Sequence, residues 1–257
     1  MFDFKNNRTI LIILAVLVVY NMAGMTEGSI IQLILTLPGL LIAITFHEFA
    51  HAWAADKLGD DTPRYQGRLT LNPIKHLDPV GTVLLLFAHF GWGKPVQINP
   101  RNFKGDMGKG EVFVSFAGPA TNFILAFVLF IIYYLLSKFG VFVGSGWFVT
   151  DFLQPTGYYV LEPLGYVQIM LYLAVVINIA LGVFNLIPLP PLDGSKIFMN
   201  FLPFNARQWF IKNEMYFHIA FLIIFFTGMS GYIIGPILDA LYKGLFFVIS
   251  SVFGIFI

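Results

Sequence analysis

Long apolar stretches separated by polar segments dominate the pattern along this 257-residue chain. Six of them reach or approach the roughly 20 apolar residues that a helix needs to cross the hydrocarbon core of a bilayer. They cover approximately residues 8–25, 30–55, 112–137, 164–187, 214–229 and 231–256. The pattern predicts an all-α polytopic membrane protein with about six transmembrane helices.

The polar segment between the second and third stretches (56–111) is predicted to contain two structured elements. Its apolar run TVLLLFAHF (82–90) is too short to span a membrane, which predicts a re-entrant or interfacial element. The next run, GWGKPVQINP (91–100), alternates apolar and polar positions between turn-forming residues. That alternation predicts a short strand or β-hairpin.

The composition agrees with lipid as the main solvent of the chain. Hydrophobic residues make up 58% and charged residues 11%, whereas a soluble domain has about half apolar and about a quarter charged residues. The net charge of +1 gives no sign of a nucleic-acid partner. The absence of cysteine excludes disulfides, thiolate metal ligands and cysteine nucleophiles.

The basic residues predict the orientation, because cytoplasmic loops of membrane proteins are rich in Lys and Arg. Thirteen of the 15 basic residues lie before or at the first position of the first stretch, in segment 56–111, or between the fourth and fifth stretches. These segments share one side of the membrane if the N-terminus is cytoplasmic. We therefore expect a multi-pass protein of the cell membrane with both termini in the cytoplasm.

The second apolar stretch ends in ionisable residues, in the sequence TFHEFAH. His47 and His51 are four residues apart, so a helix places both imidazoles on one face. Two such imidazoles can bind one Zn²⁺, and Glu48 can then reach a water molecule that the metal activates. The alternative is a pair of histidines that hydrogen-bond within a helix bundle, with Glu48 as their partner. The cost of ionisable groups in lipid favours the metal site.

A catalytic zinc site normally takes three protein ligands. The fourth stretch ends with NLIPLPPLDG (185–194), where Asp193 is the carboxylate at the same depth as the histidine pair. Taken alone, Asp193 would be a turn residue before Gly194; the matched depth favours a ligand. Three further histidines fit a structural role better than a ligand role: His76, His89 and His218.

Three motifs in this order resemble the site-2 proteases, a family of intramembrane zinc metalloproteases. They are HEFAH at the end of the second stretch, AGPATN (117–122) and LDG (192–194). The runs GRLTLNPIKHLDPVGT (67–82) and GWGKPVQINPRNF (91–103) are also similar to what this family carries between the first two motifs. The resemblance covers about residues 46–200.

The resemblance implies roles for individual residues. His47, His51 and Asp193 would be the ligands of one zinc ion, and Glu48 would be the catalytic glutamate. Asn185, eight residues before the aspartate, would hold the substrate carbonyl or the developing oxyanion.

Asn122 is similar to a second buried asparagine that the family has near its active site. The alternative for Asn122 is an interhelical hydrogen bond without a role in the reaction. Many relatives carry a PDZ or CBS domain, and neither is evident here. We therefore expect one membrane-embedded metalloprotease domain over 1–257, with a catalytic core at about 30–200 and accessory helices at 8–25 and 214–256.

The resulting hypothesis is a zinc endopeptidase that cleaves in or near transmembrane helices of single-span substrates, with the lipid bilayer as its surroundings and no nucleic-acid partner. A helical substrate must unwind, and we expect segment 91–100 to offer it a strand edge, with Val96 as the test position. Asp239 is predicted to pair with Lys243 one turn later. The alternative function is a membrane transporter, or a metal-binding membrane protein without proteolytic activity.

Overall fold

The computed structural model describes residues 27–88, 93–141, 163–226 and 229–252. The α-helices in these ranges are numbered in chain order. They are α1 (Glu27–Lys57), α2 (Thr62–Tyr65), α3 (Pro79–Ala88), α4 (Met107–Lys138), α5 (Pro163–Asn185), α6 (Asp193–Phe201), α7 (Phe204–Lys212), α8 (Glu214–Phe226) and α9 (Met229–Val252). Two short 3-10 helices, Pro73–Lys75 and Pro100–Asn102, also lie between α1 and α4.

Four helices in the described part of the chain are long and apolar enough to cross a membrane. They contain the candidate spans Ile30–Lys57, Met107–Lys138, Leu164–Asn185 and Gly235–Val252. These spans confirm an all-helical architecture in the described residues, and they coincide with four of the six predicted stretches. The predicted span 8–25 lies outside the described residues. The 13 residues of α8 fall short of the roughly 20 that a crossing requires, so a six-span topology stays a prediction.

Helices α1, α4 and α5 pack against one another and form the centre of the molecule. Gly39 lets α1 approach the α5 backbone, because a Cβ atom at this position would lie 2.7 Å from the Cα of Ala174. Small residues allow such close approach in lipid, where burial from water does not drive helices together. The helices that carry the two histidines, Asn122 and Asn185 are therefore held at short range.

The fourth candidate span packs on the outside of this centre. Ile249 of α9 is buried in a cluster that includes Phe130 of α4 and Val175 of α5. The rings of Phe130 and Tyr242 meet edge to face, with centroids 5.4 Å apart. This face of α9 is therefore fixed by packing, although most of its length remains exposed on the protein surface.

Between α1 and α4, buried Asp60 ties the chain together. Its carboxylate accepts hydrogen bonds from the Thr62 hydroxyl at 2.6 Å, the Asn99 N–H at 2.6 Å and the Asn102 amide at 2.9 Å. Burial raises the pKa of Asp60, but these hydrogen bonds outweigh it and hold the pKa below its ordinary value. The ionised carboxylate thus anchors the 3-10 helix at Pro100–Asn102 beside the end of α1.

The two elements predicted between α1 and α4 have different outcomes. The apolar run 82–90 falls largely in α3, a ten-residue helix whose first N–H groups are capped by Asp78. The predicted strand or β-hairpin at 91–100 is not formed in its described part. Residues 94–99 are non-helical and carry no strand, and one isolated antiparallel bridge joins Leu77 to Gly93. With a single bridge and no second strand alongside, a ladder cannot form.

Candidate metal centre and active site

The two histidines of the HEFAH motif face each other along one side of α1. The helix runs unbroken from Glu27 to Lys57, so His47 and His51 lie one turn apart, and both are buried. Their Nε2 atoms are 3.0 Å apart, and the imidazole planes meet at 84°. The geometry thus directs one nitrogen of each ring toward a common point.

Asp193, the third member of this group, lies beyond the C-terminal end of α5. Its Oδ2 atom lies 3.2 Å from Nε2 of His47 and 3.0 Å from Nε2 of His51. Asp193 is the first residue of α6, and Gly194 behind it packs so closely on the carbonyl of Leu186 that no side chain fits there. The tight backbone turn between α5 and α6 therefore brings the carboxylate back to α1.

The other ring nitrogen of each imidazole, Nδ1, is hydrogen-bonded to a group on α4. The Nδ1 atom of His51 donates to the carbonyl oxygen of Val114 at 2.7 Å, since a carbonyl can only accept. The Nδ1 atom of His47 lies 2.6 Å from Oδ1 of Asn122. Outer partners of this kind orient metal-binding imidazoles and leave Nε2 with a free lone pair.

One face of α4 is shaped to receive the histidine pair. Val114, Gly118 and Asn122 are spaced four residues apart and so lie on the same side of the helix. A Cβ atom at Gly118 would lie 2.5 Å from Nε2 of His51 and 2.7 Å from Nε2 of His47. The glycine of the AGPATN motif therefore provides the space in which the nitrogen atoms converge.

The three side chains fit a metal ion of the zinc type. Their candidate ligand atoms, one from each of His47, His51 and Asp193, all lie within 4.8 Å of one another. Ligand bonds of about 2.0–2.2 Å in tetrahedral geometry require ligand atoms about 3.3–3.6 Å apart. The observed separations of 3.0–3.2 Å are close to that requirement. Two neutral imidazoles and a carboxylate also form a donor set that suits Zn²⁺.

Glu48 is held by residues of the segment between α1 and α4. Its Oε2 atom accepts a hydrogen bond from the Val96 N–H at 3.0 Å and lies 3.6 Å from Nη2 of Arg68. Its side chain is 13% exposed. One oxygen of the Glu48 carboxylate is thus engaged by the protein.

Arg68 is a site residue that the sequence reasoning missed. Its guanidinium is buried and donates to the carbonyl oxygens of Lys75 and Lys94, while also facing Glu48. Burial lowers the pKa of Arg68, and the nearby Glu48 carboxylate offsets only part of that effect. A guanidinium stays protonated in proteins, so Arg68 supplies a fixed positive charge beside Glu48. The sequence around it, GRLTLNP, does not by itself indicate a role for Arg68 in the site.

Two further predicted side chains have hydrogen-bond partners within their own helices. Asn185 is the last residue of α5, and its Nδ2 atom donates to the Leu181 carbonyl of the same helix at 2.9 Å. The predicted pair in the last span is confirmed, because Nζ of Lys243 lies 2.7 Å from Oδ2 of Asp239.

The other histidines fall outside the ligand group, as predicted, where they are described. His76 is buried with its Nε2 atom 2.7 Å from the Thr70 carbonyl, and burial holds its pKa below the ordinary value. His218 lies on α8 with Nδ1 2.8 Å from the Glu214 carbonyl. His89 lies outside the described residues.

Comparisons with known proteins agree with this geometry. Residues 35–227 match the model of peptidase family M50. YwhC of Bacillus subtilis (strain 168), designated a candidate zinc metalloprotease, is 41% identical over 214 residues, which cover 83% of this chain and 90% of YwhC. Rip2 of Mycolicibacterium smegmatis, with the same designation, is 27% identical over 222 residues, covering 78% of this chain and 77% of Rip2.

Rip2 of Mycobacterium tuberculosis (strain H37Rv) is 26% identical over 211 residues, covering 79% of this chain and 71% of that protein. No solved structure matches this chain significantly. The family match spans most of the chain, including the HEFAH, AGPATN and LDG motifs that meet in the structure. The chain therefore belongs to peptidase family M50, the site-2 protease family.

Proposed function

We propose that this protein is a zinc-dependent intramembrane endopeptidase that hydrolyses peptide bonds in or near transmembrane helices of its substrates. The observation that carries this proposal is the convergence of His47 and His51 from α1 with Asp193 from α6, with Glu48 adjacent to His47 in the chain. The family membership supports the same reaction class. In this assignment the two histidines and Asp193 are the metal ligands.

Zinc bound by these three side chains would supply Lewis-acid activation of a water molecule and of the scissile carbonyl. The chain's own contribution begins with Glu48, which we propose as the general base and then as the acid that protonates the leaving amide nitrogen. Its Oε2 atom is engaged by the Val96 N–H and faces Arg68. Its Oε1 atom is therefore the one suited to receive a proton.

Lys196 contributes to the orientation of the third ligand. Its Nζ atom lies 3.4 Å from Oδ1 of Asp193, while Oδ2 faces the two histidines. In this arrangement Asp193 can bind the metal through Oδ2 while Oδ1 accepts a hydrogen bond from Lys196. Lys196 is 54% exposed at its side chain, so its attraction is screened by solvent and is weaker than a buried contact.

Asn185 is proposed as the donor to the developing oxyanion. The amide now donates to its own helix at Leu181, so this role requires a rotation of the side chain when substrate binds. Asn122 is proposed as a support of His47 and not as an oxyanion donor, because its Oδ1 faces the imidazole and its Nδ2 is occupied on the opposite side.

Segment 93–99 is proposed as the edge that binds unwound substrate. The N–H and C=O of Lys94 both face inward, to the His76 carbonyl and to Arg68, and the Val96 N–H faces Glu48. In an extended chain alternate residues face opposite sides. The Pro95 carbonyl and the Gln97 N–H and carbonyl would then face outward. Both residues also line an open cavity of about 350 Å³, together with Gln66, Arg68 and Lys94. Added strands bind through such free backbone groups.

The membrane context follows from the same proposal. We propose single-span membrane proteins as substrates, a cell-membrane location and a six-span topology with both termini in the cytoplasm. The whole chain, 1–257, would form one metalloprotease domain with its core at about 30–200. The asymmetry of the basic residues supports this orientation, which places the metal centre near the cytoplasmic face.

The decisive experiment incubates purified, zinc-replete protein with a panel of single-span peptides in bilayer vesicles. We expect cleavage by the wild type, and none by Glu48→Gln or by protein stripped with a chelator and not reloaded. Glu214→Gln, an exposed carboxylate at the start of α8, serves as the matched control and should keep full activity. Zinc-dependent cleavage that persists in Glu48→Gln would contradict the proposed general base.

A further inference from the structure

A chain of hydrogen bonds leads from the His47 imidazole through α4 to a buried asparagine on α5. Nδ1 of His47 lies 2.6 Å from Oδ1 of Asn122, whose Nδ2 donates to Oδ1 of Asn178 at 3.0 Å. Nδ2 of Asn178 donates in turn to the Ala174 carbonyl at 2.8 Å. Both asparagine side chains have no exposed surface. Asn178 was not singled out in the sequence, where it is one polar residue in a long apolar run.

The backbone carbonyls at the ends of this chain fix its direction, since a carbonyl can only accept. Asn178 must turn its NH₂ group toward the Ala174 carbonyl, and its oxygen is left for Asn122. Asn122 then uses one N–H on Asn178 and the other on the Ala43 carbonyl at 3.1 Å. Its remaining atom, Oδ1, accepts only, so the proton between Asn122 and His47 lies on Nδ1 of the imidazole.

We infer that Asn178 is a positioning residue of the metal centre, acting through Asn122 on the tautomer and orientation of His47. With the proton on Nδ1, the lone pair of Nε2 points toward Asp193, as a metal ligand requires. Asn178 supplies one of the two acceptors for the Asn122 NH₂ group. These acceptors prevent a 180° flip of the amide, which would exchange its oxygen and nitrogen. This inference rests on the proposed function, because it takes His47 as a ligand.

A structural role alone would be an interhelical hydrogen bond between α4 and α5. The chain offers a matched control for that role in Gln168, a buried amide on α5 that also bridges to α4. Its Nε2 atom donates to the Tyr133 hydroxyl at 3.4 Å, and this contact does not lead to the histidines. Replacing either amide by leucine removes a buried polar bridge between the same two helices.

The test measures zinc affinity by chelator competition for wild type, Asn178→Leu, Asn178→Ser and Gln168→Leu. We expect Asn178→Leu to bind zinc about 10-fold more weakly than wild type, at the lower end of the 10–100-fold loss typical when a direct partner of a metal ligand is removed, because Asn178 acts through Asn122. Asn178→Ser should be intermediate, because its hydroxyl can still accept. Gln168→Leu should keep wild-type affinity even if its melting temperature is lower.

A second readout needs no metal. Nitrogen-15 spectra of the histidine-labelled, metal-free protein, recorded where the imidazoles are neutral, should show His47 protonated at Nδ1 in the wild type. A mixture of tautomers is expected in Asn178→Leu, with His47→Gln identifying the signal. If that variant does not fold, Asn178→Ser is judged by the same two measurements.

Unchanged zinc affinity together with an unchanged His47 tautomer in the Asn178 variants would overturn the inference, as would an equal loss of affinity in Gln168→Leu. Failure of the proposed function has a different signature. In that case the wild type itself would bind no zinc, while the tautomer spectra of the metal-free protein would still decide the role of Asn178.

Discussion

Oδ2 of Asp193 lies 3.0 Å from Nε2 of His51, although 142 residues separate them in the chain. The contact joins the start of α6 to the end of α1. Only a packed arrangement of α1, α4 and α5 can bring these two groups together. The proposed enzyme therefore depends on helix packing as much as on its motifs.

Asp193→Ala should abolish stoichiometric zinc binding, because two imidazoles alone leave the ion with too few protein ligands. Elemental analysis of protein purified under zinc-replete conditions measures this directly. Asp239→Ala is the control, since Asp239 lies exposed on α9 and pairs with Lys243. Wild-type zinc content in Asp193→Ala would show that the third ligand lies elsewhere.

Gly118→Ala should weaken zinc binding although it adds a single methyl group. The new Cβ would lie 2.5 Å from Nε2 of His51, so the rings must move apart. Overpacking of this kind costs about 1–3 kcal/mol, or roughly a 5- to 150-fold loss of affinity. Gly244→Ala on α9 meets open space and should leave affinity unchanged. Equal affinities for both variants and the wild type would contradict the cradle assigned to Gly118.

Arg68→Met should lower kcat by about 100-fold while zinc content is kept, because misplacement of a catalytic group by about 1 Å has effects of that size. The guanidinium fork holds two backbone carbonyls and faces Glu48. Arg68→Lys should recover little, since an ammonium cannot bridge both carbonyls.

Arg64→Met is the control for that variant. Arg64 is exposed and pairs with Asp56, so steady-state kinetics should match the wild type. A reduced kcat in both variants would point to a general effect of lost charge in this loop.

Proline substitutions at neighbouring positions should separate the two sides of segment 93–99. Val96→Pro removes the N–H that donates to Glu48, so kcat should fall for every substrate. Gln97→Pro removes an N–H on the proposed outer edge, so KM for transmembrane substrates should rise while kcat is largely kept. Gln97→Ala retains the N–H and should resemble the wild type. An unchanged KM in Gln97→Pro would argue against substrate addition at this edge.

The stability of the protein should depend on pH through His76. Burial holds the His76 pKa below its ordinary value of 6.5, and the hydrogen bond to Thr70 offsets only part of that effect. Below about pH 6.5 the unfolded chain binds a proton that the folded protein does not bind until lower pH. The free energy of unfolding should therefore fall with decreasing pH, by at most about 1.4 kcal/mol per pH unit from this group.

Thermal unfolding between pH 5 and 8 tests this dependence. His76→Gln should flatten the curve below pH 6.5. A curve that is as steep in His76→Gln as in the wild type would assign the pH dependence to other groups.

The motifs alone predicted the reaction class and the ligand group that the structure assembles. His47 and His51 could be paired from their spacing, since a helix repeats every 3.6 residues. Asp193 could be added because it lies at the same depth at the end of another span. The β-hairpin prediction at 91–100 was not borne out by the described residues, because alternation in a short run does not supply a partner strand.

Other parts of the site have no sequence signal of their own. Arg68 faces Glu48, and Asn178 supports Asn122, only because segments distant in the chain pack together. Asn185 had a predicted role, yet its amide bonds to its own helix. The side-chain partner of a polar residue depends on tertiary neighbours, which one sequence does not specify.

The sequence by itself determined the membrane-spanning helices, the one-turn spacing of the two histidines and the separate aspartate, since these follow from hydropathy and helical periodicity. Tertiary structure alone decided which nitrogen of each histidine is free and what holds Glu48. It also determined that position 118 must lack a side chain, because the histidine nitrogens occupy that space. The physical reason is that hydrogen-bond direction and close packing are set by groups brought together across the fold, at distances of about 3 Å.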